Sequence, residues 1–212
     1  MKLPRVYPIL DRALLASRGI SIVDAAEALL EGGARLIQLR SKDYLSRTLL
    51  SEGEAIAAMC EQASATLIVN DRADLAVLLS AGVHVGQDDL SPAEVRNIIG
   101  AGRLLGFSTH NEIQFRQGDA EPVDYLALGP VFATSNKINP DPVVGAAELS
   151  RLRAMTRKPV VGIGGITRAN ARLVWDAGAD SVAVIGDMYP SECSKRSIHE
   201  RFKEWLMVAQ NA

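Results

Sequence analysis

Short apolar stretches recur along the chain, and most are followed by a segment whose apolar residues are spaced as on one face of a helix. The eight stretches are rich in Val, Ile and Leu and comprise residues 6–10, 36–39, 66–69, 83–85, 103–107, 125–128, 160–163 and 182–185. Several are continuous rather than alternating, as is typical of strands buried on both faces of a parallel sheet. The pattern therefore predicts strands that helices must cover.

The segments between these strands carry apolar residues at helical spacing. They predict helices over residues 22–30, 47–63, 75–79, 92–99, 113–117, 146–155, 169–177 and 198–209. Ser91 and Glu94 match a capping box before the fourth of these helices, and Thr167 is the expected cap of the seventh. Strand and helix thus alternate throughout the sequence.

This alternation predicts an α/β protein, a single (β/α)8 TIM barrel over residues 1–212. Eight units in this length leave about 26 residues each, close to the lower size limit of such barrels. The alternative is an open doubly wound sheet. It is disfavoured because no GxGxxG follows the first strand, and because polar residues cluster after nearly every strand rather than at one crossover.

Composition narrows the function classes. The chain is 48% hydrophobic and 23% charged with a formal net charge of −2, so it offers no extended basic surface for nucleic acid. No apolar run reaches the roughly 20 residues of a membrane span. Cys60 and Cys193 lie far apart and indicate neither a zinc site nor a disulfide. We therefore expect a cytoplasmic protein that acts on small molecules, with a homo-oligomer left open.

Polar and glycine residues follow seven consecutive predicted strands. Barrel active sites are built from the loops at the carboxyl ends of the strands, so these residues are expected to share one face. In chain order they include Gln38, Arg40, Lys42, Asn70, Asp71, Asp88, Asp89, Ser108, His110, Thr134, Asn136, Lys137, Gly164, Gly165, Ile185, Gly186 and Asp187.

Two kinds of site are indicated on that face. The Gly164-Gly165 pair ahead of a helix, joined by Gly186 after the last strand, is typical of a phosphate cradle built from backbone amides. Separately, loop cations and the carboxylates of Asp71 and Asp89 form a mixture that suits magnesium pyrophosphate.

Simpler interpretations exist for each residue. An Asn-Asp or Asp-Asp pair after a strand is, without context, more often a turn or a helix cap than a metal site. Arg40 and Lys42 could merely be solvated on the barrel rim, and paired glycines are often needed for steric reasons alone. His84 ends a buried strand, so we expect it to be packed and hydrogen-bonded rather than a base.

Taken together, the motifs resemble the thiamine-phosphate synthase family over almost the whole chain. They are Gln-Leu-Arg-Ser-Lys at 38–42, Val-Asn-Asp at 69–71, Gly-Val-His-Val-Gly-Gln-Asp-Asp at 82–89, Gly-Phe-Ser-Thr-His at 106–110, Asp-Tyr at 124–125, Gly-Pro-Val-Phe at 129–132 and Gly-Ile-Gly-Gly-Ile at 162–166. The Val-Asn-Asp and His-Val-Gly-Gln-Asp-Asp motifs are the most specific, whereas Gly-Ile-Gly-Gly-Ile occurs in many phosphate-binding barrels.

The resemblance implies a transferase that condenses hydroxymethylpyrimidine pyrophosphate with hydroxyethylthiazole phosphate. It implies that Gln38 and Ser108 bind the aminopyrimidine and that Asp71 and Asp89 coordinate Mg²⁺. Ser108 and Lys137 would be the catalytic residues. The resemblance assigns the remaining substrate-binding residues to two groups. The pyrophosphate would be bound by Arg40, Lys42, Asn70 and Lys137. The thiazole phosphate would be bound by Thr134, Asn136, Gly165, Ile185 and Gly186.

The sequence also departs from the family pattern. Asn136 stands where the family usually has Thr, Ala133 where it has Pro, and Asp187 places a carboxylate beside the expected phosphate. Two alternatives share the fold: a thiazole tautomerase-like paralogue and a non-catalytic phosphate-ligand sensor. The tautomerase-like branch generally lacks the acidic magnesium residues and carries His where Pro130 stands, so Asp71, Asp89 and Pro130 favour the synthase.

Overall fold

The strands close into a parallel barrel in their order along the chain. The computed structural model describes residues 2–134 and 141–212. Each strand pairs with the next, and the first pairs with the last, so the sheet has no free edge. The strands are β1 (Val6–Asp11), β2 (Leu36–Arg40), β3 (Thr66–Asn70), β4 (Gly82–Val85), β5 (Leu105–Thr109), β6 (Tyr125–Leu128), β7 (Val160–Ile163) and β8 (Ser181–Val184). The predicted (β/α)8 barrel is confirmed.

Helices follow the strands and cover the outside of the barrel. They are α1 (Arg12–Ser17), α2 (Ile22–Glu31), α3 (Arg47–Gln62), α4 (Ala73–Leu78), α5 (Pro92–Ile99), α6 (Glu112–Ala120), α7 (Gly145–Arg153), α8 (Ala171–Asp176) and α9 (Lys195–Gln210). A single 3₁₀ turn, Gly186–Met188, follows β8.

Side-chain caps set several helix starts. The predicted capping box of α5 is present, with Ser91 and Glu94 each accepting from the other's backbone amide. The predicted cap of α8 is wrong, because the helix begins three residues later with Asn170 at its N-cap. Helix α1 was not predicted at all; Asp11 caps it by accepting from the amide of Leu14 at 3.0 Å. Capping therefore determines local boundaries that apolar periodicity does not reveal.

The buried residues form two layers. The larger lies between the strands and the surrounding helices and holds most of the Leu, Val and Ile side chains. The smaller fills the barrel interior, where side chains from alternating strand positions meet, namely Leu3, Tyr7, Ile9, Leu36, Ile68, Tyr125, Ala127, Val161 and Ala183. The barrel interior is therefore packed, and a binding site has to lie at its mouth.

Two tyrosines and a histidine bring polar atoms into the barrel interior. The Tyr7 and Tyr125 rings meet edge to face with centroids 6.2 Å apart, and His84 stacks on Tyr125 at 5.5 Å. All three side chains are buried, and His84 makes hydrogen bonds through both ring nitrogens. The expectation of a packed, hydrogen-bonded His84 is confirmed.

Within residues 2–134 and 141–212, no helix combines the length and apolar character that a membrane crossing requires.

The burial of His84 predicts a pH-dependent stability. Desolvation lowers the pKa of His84 from 6.5 to about 4, partly opposed by the charge of Asp71. Because the unfolded chain binds this proton more readily, the free energy of unfolding keeps its full value above about pH 6.5 and falls as the pH drops toward 4. At about 1.4 kcal/mol per pKa unit, we expect roughly 2 kcal/mol to be lost near pH 5.

Urea unfolding near pH 7.5 and near pH 5 measures this loss in the wild type and in His84→Gln. The variant lacks the titrating group, so its stability should change less between the two pH values by roughly 2 kcal/mol. An equal change in both proteins would contradict the account.

Candidate active site

A cavity of about 930 Å³ opens at the carboxyl ends of the strands. Every sequence-predicted site residue that the structure describes lines it: Gln38, Arg40, Lys42, Asn70, Asp71, Asp89, Ser108, Thr134, Gly165, Ile185 and Gly186. Asn136 and Lys137 lie outside the described residues. The structure therefore brings the candidates of seven strand ends together, while their individual roles stay predictions.

Asp71 and Asp89 converge on one side of the cavity. The amide of Gly86 donates to Asp89 Oδ2 at 2.7 Å and orients that carboxylate. Burial raises the pKa of Asp89; the Gly86 hydrogen bond and Lys42 lower it, while Asp71 raises it through its charge and a side-chain hydrogen bond. Two carboxylates held this close repel one another when both are ionised.

Lys42 pairs with the same carboxylate cluster. Its Nζ donates to Asp71 Oδ2 at 2.5 Å, although the lysine side chain is 64% exposed. The ammonium therefore has room to turn toward a ligand. The backbone of Asp71 is constrained in turn: its φ is +64°, and its amide donates to the carbonyl of His84 at 2.8 Å.

Arg40 is held by a residue that the sequence reasoning missed. Its guanidinium donates to Asp11 Oδ2, while the other Asp11 oxygen caps α1. Asp11 is the last residue of β1, directly beside Arg40 in the strand register. The polar Asp11 side chain at a strand end could have indicated a site residue, but the predicted first strand ended one residue too early to include it.

Asn70 contributes a hydrogen-bond donor to the cavity wall. Its Nδ2 is buried and has no partner among the described residues. A buried donor without a partner is costly, and in native proteins such a group usually meets water, an ion or a ligand. Asn70, Asp71 and Asp89 line the same cavity.

Gln38 and Ser108 are joined through the barrel interior. Gln38 Nε2 donates to Tyr7 Oη at 2.8 Å, and the Tyr7 and Tyr125 hydroxyls lie 3.0 Å apart. Tyr125 Oη is 3.0 Å from His84 Nδ1, and His84 Nε2 is 2.8 Å from Ser108 Oγ. We call these five residues the hydrogen-bond chain. The sequence reasoning missed Tyr7 and Tyr125, whose only signal was a hydroxyl within an otherwise apolar strand.

The loops after β6 and β7 pack tightly on one another. Phe132 donates through its amide to the carbonyl of Gly164 at 3.0 Å. Gly165 has a φ of +65°, and a Cβ there would lie 2.4 Å from the carbonyl oxygen of Ala133. Steric necessity thus explains Gly165 without a phosphate, although its backbone still faces the cavity.

The β7 loop uses part of its polar backbone internally. Asn170 accepts from the amide of Thr167 at 2.7 Å and donates to the carbonyl of Gly165 at 3.0 Å. The amide of Arg168 donates to Asp187 at 3.3 Å. A phosphate in this corner would therefore depend on the amides near Gly165 and Gly186 rather than on the start of α8.

Asp187 is neutralised by a neighbouring cation. Arg168 Nε donates to its Oδ2 at 2.9 Å, and the same guanidinium also pairs with Glu204. Arg201 donates to the Asp187 carbonyl at 2.7 Å and pairs with Glu204 at 3.2 Å. The four side chains balance two positive charges against two negative ones, so Asp187 adds little net repulsion toward an anion.

The described residues fit a cation held partly by a ligand. Among residues 2–134 and 141–212, no group of three or more His, Cys, Asp or Glu side chains is arranged to hold a metal. Magnesium keeps water and substrate oxygens in its coordination shell and is often bound by only one or two carboxylates. Asp71 and Asp89 would supply that number of ligands.

Comparison with known proteins identifies a family. Residues 6–188 match the family model for thiamine monophosphate synthase. The thiamine-phosphate synthase of Koribacter versatilis is 48% identical over 191 residues, covering 89% of this chain and 90% of that protein. The one from Laribacter hongkongensis is 44% identical over 181 residues, 85% of each.

A solved structure, thiamine phosphate pyrophosphorylase from Pyrococcus furiosus, superposes with a TM-score of 0.84 at 27% identity, covering 98% of this chain and 96% of that one. Fold and sequence therefore agree: the chain belongs to the thiamine monophosphate synthase family.

Proposed function

We propose that this chain condenses hydroxymethylpyrimidine pyrophosphate with hydroxyethylthiazole phosphate, yielding thiamine phosphate and pyrophosphate, and that it uses Mg²⁺. One observation supports this above all. The carboxylates of Asp71 and Asp89 meet beside the cation of Lys42 in the cavity that also holds Gln38 and Ser108. A leaving-group site and an aminopyrimidine site are thus adjacent.

Asp71 and Asp89 are the proposed Mg²⁺ ligands. Mg²⁺ bound there would neutralise charge that develops on the departing pyrophosphate. With Asp71 holding the cation, the exposed Lys42 ammonium, which now pairs with Asp71, would be available to the pyrophosphate oxygens. Arg40 and the unpartnered Asn70 amide add donors from the neighbouring strand ends.

The reaction needs no nucleophilic side chain. The carbon–oxygen bond to pyrophosphate breaks first, and the aminopyrimidine ring delocalises the charge of the resulting pyrimidinylmethyl cation. The thiazole nitrogen then forms the new bond to the methylene carbon. Gln38 and Ser108 hold the ring in place, and the loops after β7 and β8 hold the thiazole phosphate. The protein contributes alignment and stabilisation of the leaving group.

Thiazole phosphate is assigned to the opposite side of the cavity. Gly165 and Gly186 place backbone amides there, Thr134 lines the same wall, and Arg168 offsets the charge of Asp187. Asn136 and Lys137, outside the described residues, keep their predicted roles toward the thiazole phosphate and the pyrophosphate.

A cytoplasmic location is also proposed. Cys60 and Cys193 are both free, and burial raises the pKa of the Cys60 thiol to about 12. Free, unreactive thiols are typical of a reducing compartment.

Incubation of the purified chain with both substrates and Mg²⁺ tests the function. We expect equal amounts of thiamine phosphate and pyrophosphate, and no product when either substrate is omitted or the metal is chelated. Release of pyrophosphate without thiamine phosphate, or conversion of a thiazole substrate alone, would contradict the proposal. The second result would favour the tautomerase-like alternative, and binding without turnover would favour the sensor.

Asp88 and Asp89 provide a matched pair for testing the metal site. Both side chains are exposed and line the cavity, but it is the Asp89 carboxylate that accepts from the Gly86 amide and interacts with Asp71. Asp89→Asn keeps the shape but removes a charge, so we expect roughly a tenfold or greater loss of activity, about 1.4 kcal/mol, and a higher Mg²⁺ requirement. Asp88→Asn should change both much less.

Titration of activity against Mg²⁺ in the two variants distinguishes them. Equal defects, or a larger one in Asp88→Asn, would show that the wrong carboxylate has been assigned to the cation.

A further inference from the structure

The hydrogen-bond chain has two ends, and both lie in the cavity wall. Gln38 and Ser108 form the ends, and both are assigned to the aminopyrimidine under the proposed function. Tyr7, Tyr125 and His84 connect them through the barrel interior, and Tyr125 is completely buried. A buried hydroxyl cannot donate a hydrogen bond to water, so each hydroxyl must donate to another member of the hydrogen-bond chain.

Together with the orientation of the Gln38 amide, this requirement sets the direction of every hydrogen bond. Gln38 Nε2 donates to Tyr7 Oη, so the Tyr7 proton can go only to Tyr125. The Tyr125 proton then goes to His84 Nδ1. A neutral histidine ring donates from one nitrogen when it accepts at the other, so Nε2 carries the proton and donates to Ser108 Oγ.

The two ends consequently present opposite hydrogen-bonding groups to a ligand. The Ser108 hydroxyl already accepts from His84, so its own proton is available to donate. Gln38 uses its Nε2 toward Tyr7, so its Oε1 is available to accept. An aminopyrimidine edge offers an exocyclic amine that donates and a ring nitrogen that accepts, which matches this pair.

The fold reserves space for this arrangement at Gly106. A Cβ there would lie 2.1 Å from Tyr125 Cζ and 2.4 Å from His84 Nδ1. Gly106 pairs with both residues in the strand register, His84 on β4 and Tyr125 on β6. Any other side chain would push the tyrosine away from the histidine and break the chain at its centre.

We propose that Tyr7, Tyr125 and His84 are positioning residues that orient the hydrogen bonds of Gln38 and Ser108 and so select an aminopyrimidine over its oxo counterpart. The oxo ring carries an acceptor in place of the amine and a protonated ring nitrogen beside it, which reverses the pattern. This inference rests on the proposed function for the identity of the ligand, whereas the direction of the hydrogen-bond chain rests on the orientation of the Gln38 amide.

Tyrosine-to-phenylalanine variants test the coupling. Tyr7→Phe and Tyr125→Phe each interrupt the chain, so each should raise the KM for pyrimidine pyrophosphate roughly tenfold and leave the KM for thiazole phosphate unchanged. The double variant should be little worse than either single one, because one break already disconnects the ends. Additive effects, or an unchanged pyrimidine KM, would overturn the proposal.

Tyr189→Phe is the matched control. Tyr189 is equally buried, and its hydroxyl donates to the carbonyl of Ile9 at 2.9 Å, outside the chain. It should lose comparable thermal stability with no change in either KM. An equal rise of the pyrimidine KM in this variant would show that the tyrosine effects are only structural.

Nitrogen NMR of the His84 ring tests the direction without any substrate. The wild type should show a protonated Nε2 and an unprotonated Nδ1, and Tyr125→Phe should lose this preference. The opposite tautomer in the wild type would overturn the inference while leaving the proposed function intact. Failure of the wild type to bind pyrimidine pyrophosphate would overturn both, even with the expected tautomer.

Discussion

Closure of the parallel sheet is the constraint on which the site depends. Because β8 pairs with β1, all eight strands point the same way around a ring, and their carboxyl ends meet at one mouth. Residues more than a hundred positions apart, such as Gln38 and Gly165, thereby line the same cavity. The helices and the apolar layer beneath them keep this ring closed, and the site requires no further scaffold.

The barrel interior does more than fill space. Most of the interior side chains are apolar, but Tyr7, Tyr125 and His84 place polar atoms among them and link these atoms by continuous hydrogen bonds. Such buried networks are favourable only when every member is satisfied. The same requirement that stabilises the interior therefore also fixes which groups Gln38 and Ser108 can offer to a ligand.

The fold could be predicted from the sequence because few other folds accommodate continuous apolar strands that alternate with amphipathic helices. It was also sufficient to collect the cavity residues, since polar groups after strand ends share one face. It missed α1, the Asp11–Arg40 ion pair and the tyrosine links. Helix α1 depends on a local cap by Asp11, whereas the ion pair and the tyrosine links depend on contacts between different strands. A tyrosine in an apolar strand looks like any core aromatic until its hydroxyl partner is known.

The sequence also left two questions that contacts answer. Asp187 was an unexplained carboxylate near a phosphate, and its pairing with Arg168 removes most of the expected repulsion. Gly165 suggested a phosphate cradle, yet the approach of Ala133 requires a glycine there in any case. Local sequence cannot distinguish a residue required for binding from one required by a neighbouring loop.

We propose that two carboxylates and several cations hold pyrophosphate together through a divalent cation. Calorimetric titration of inorganic pyrophosphate into the protein, with saturating Mg²⁺ and with a chelator, tests this arrangement. Mg²⁺ reduces the charge of free pyrophosphate, so a site made only of cations would bind the complex more weakly. The account predicts roughly tenfold or tighter binding with Mg²⁺, by linkage through Asp71 and Asp89. Equal or weaker binding with the metal would contradict it.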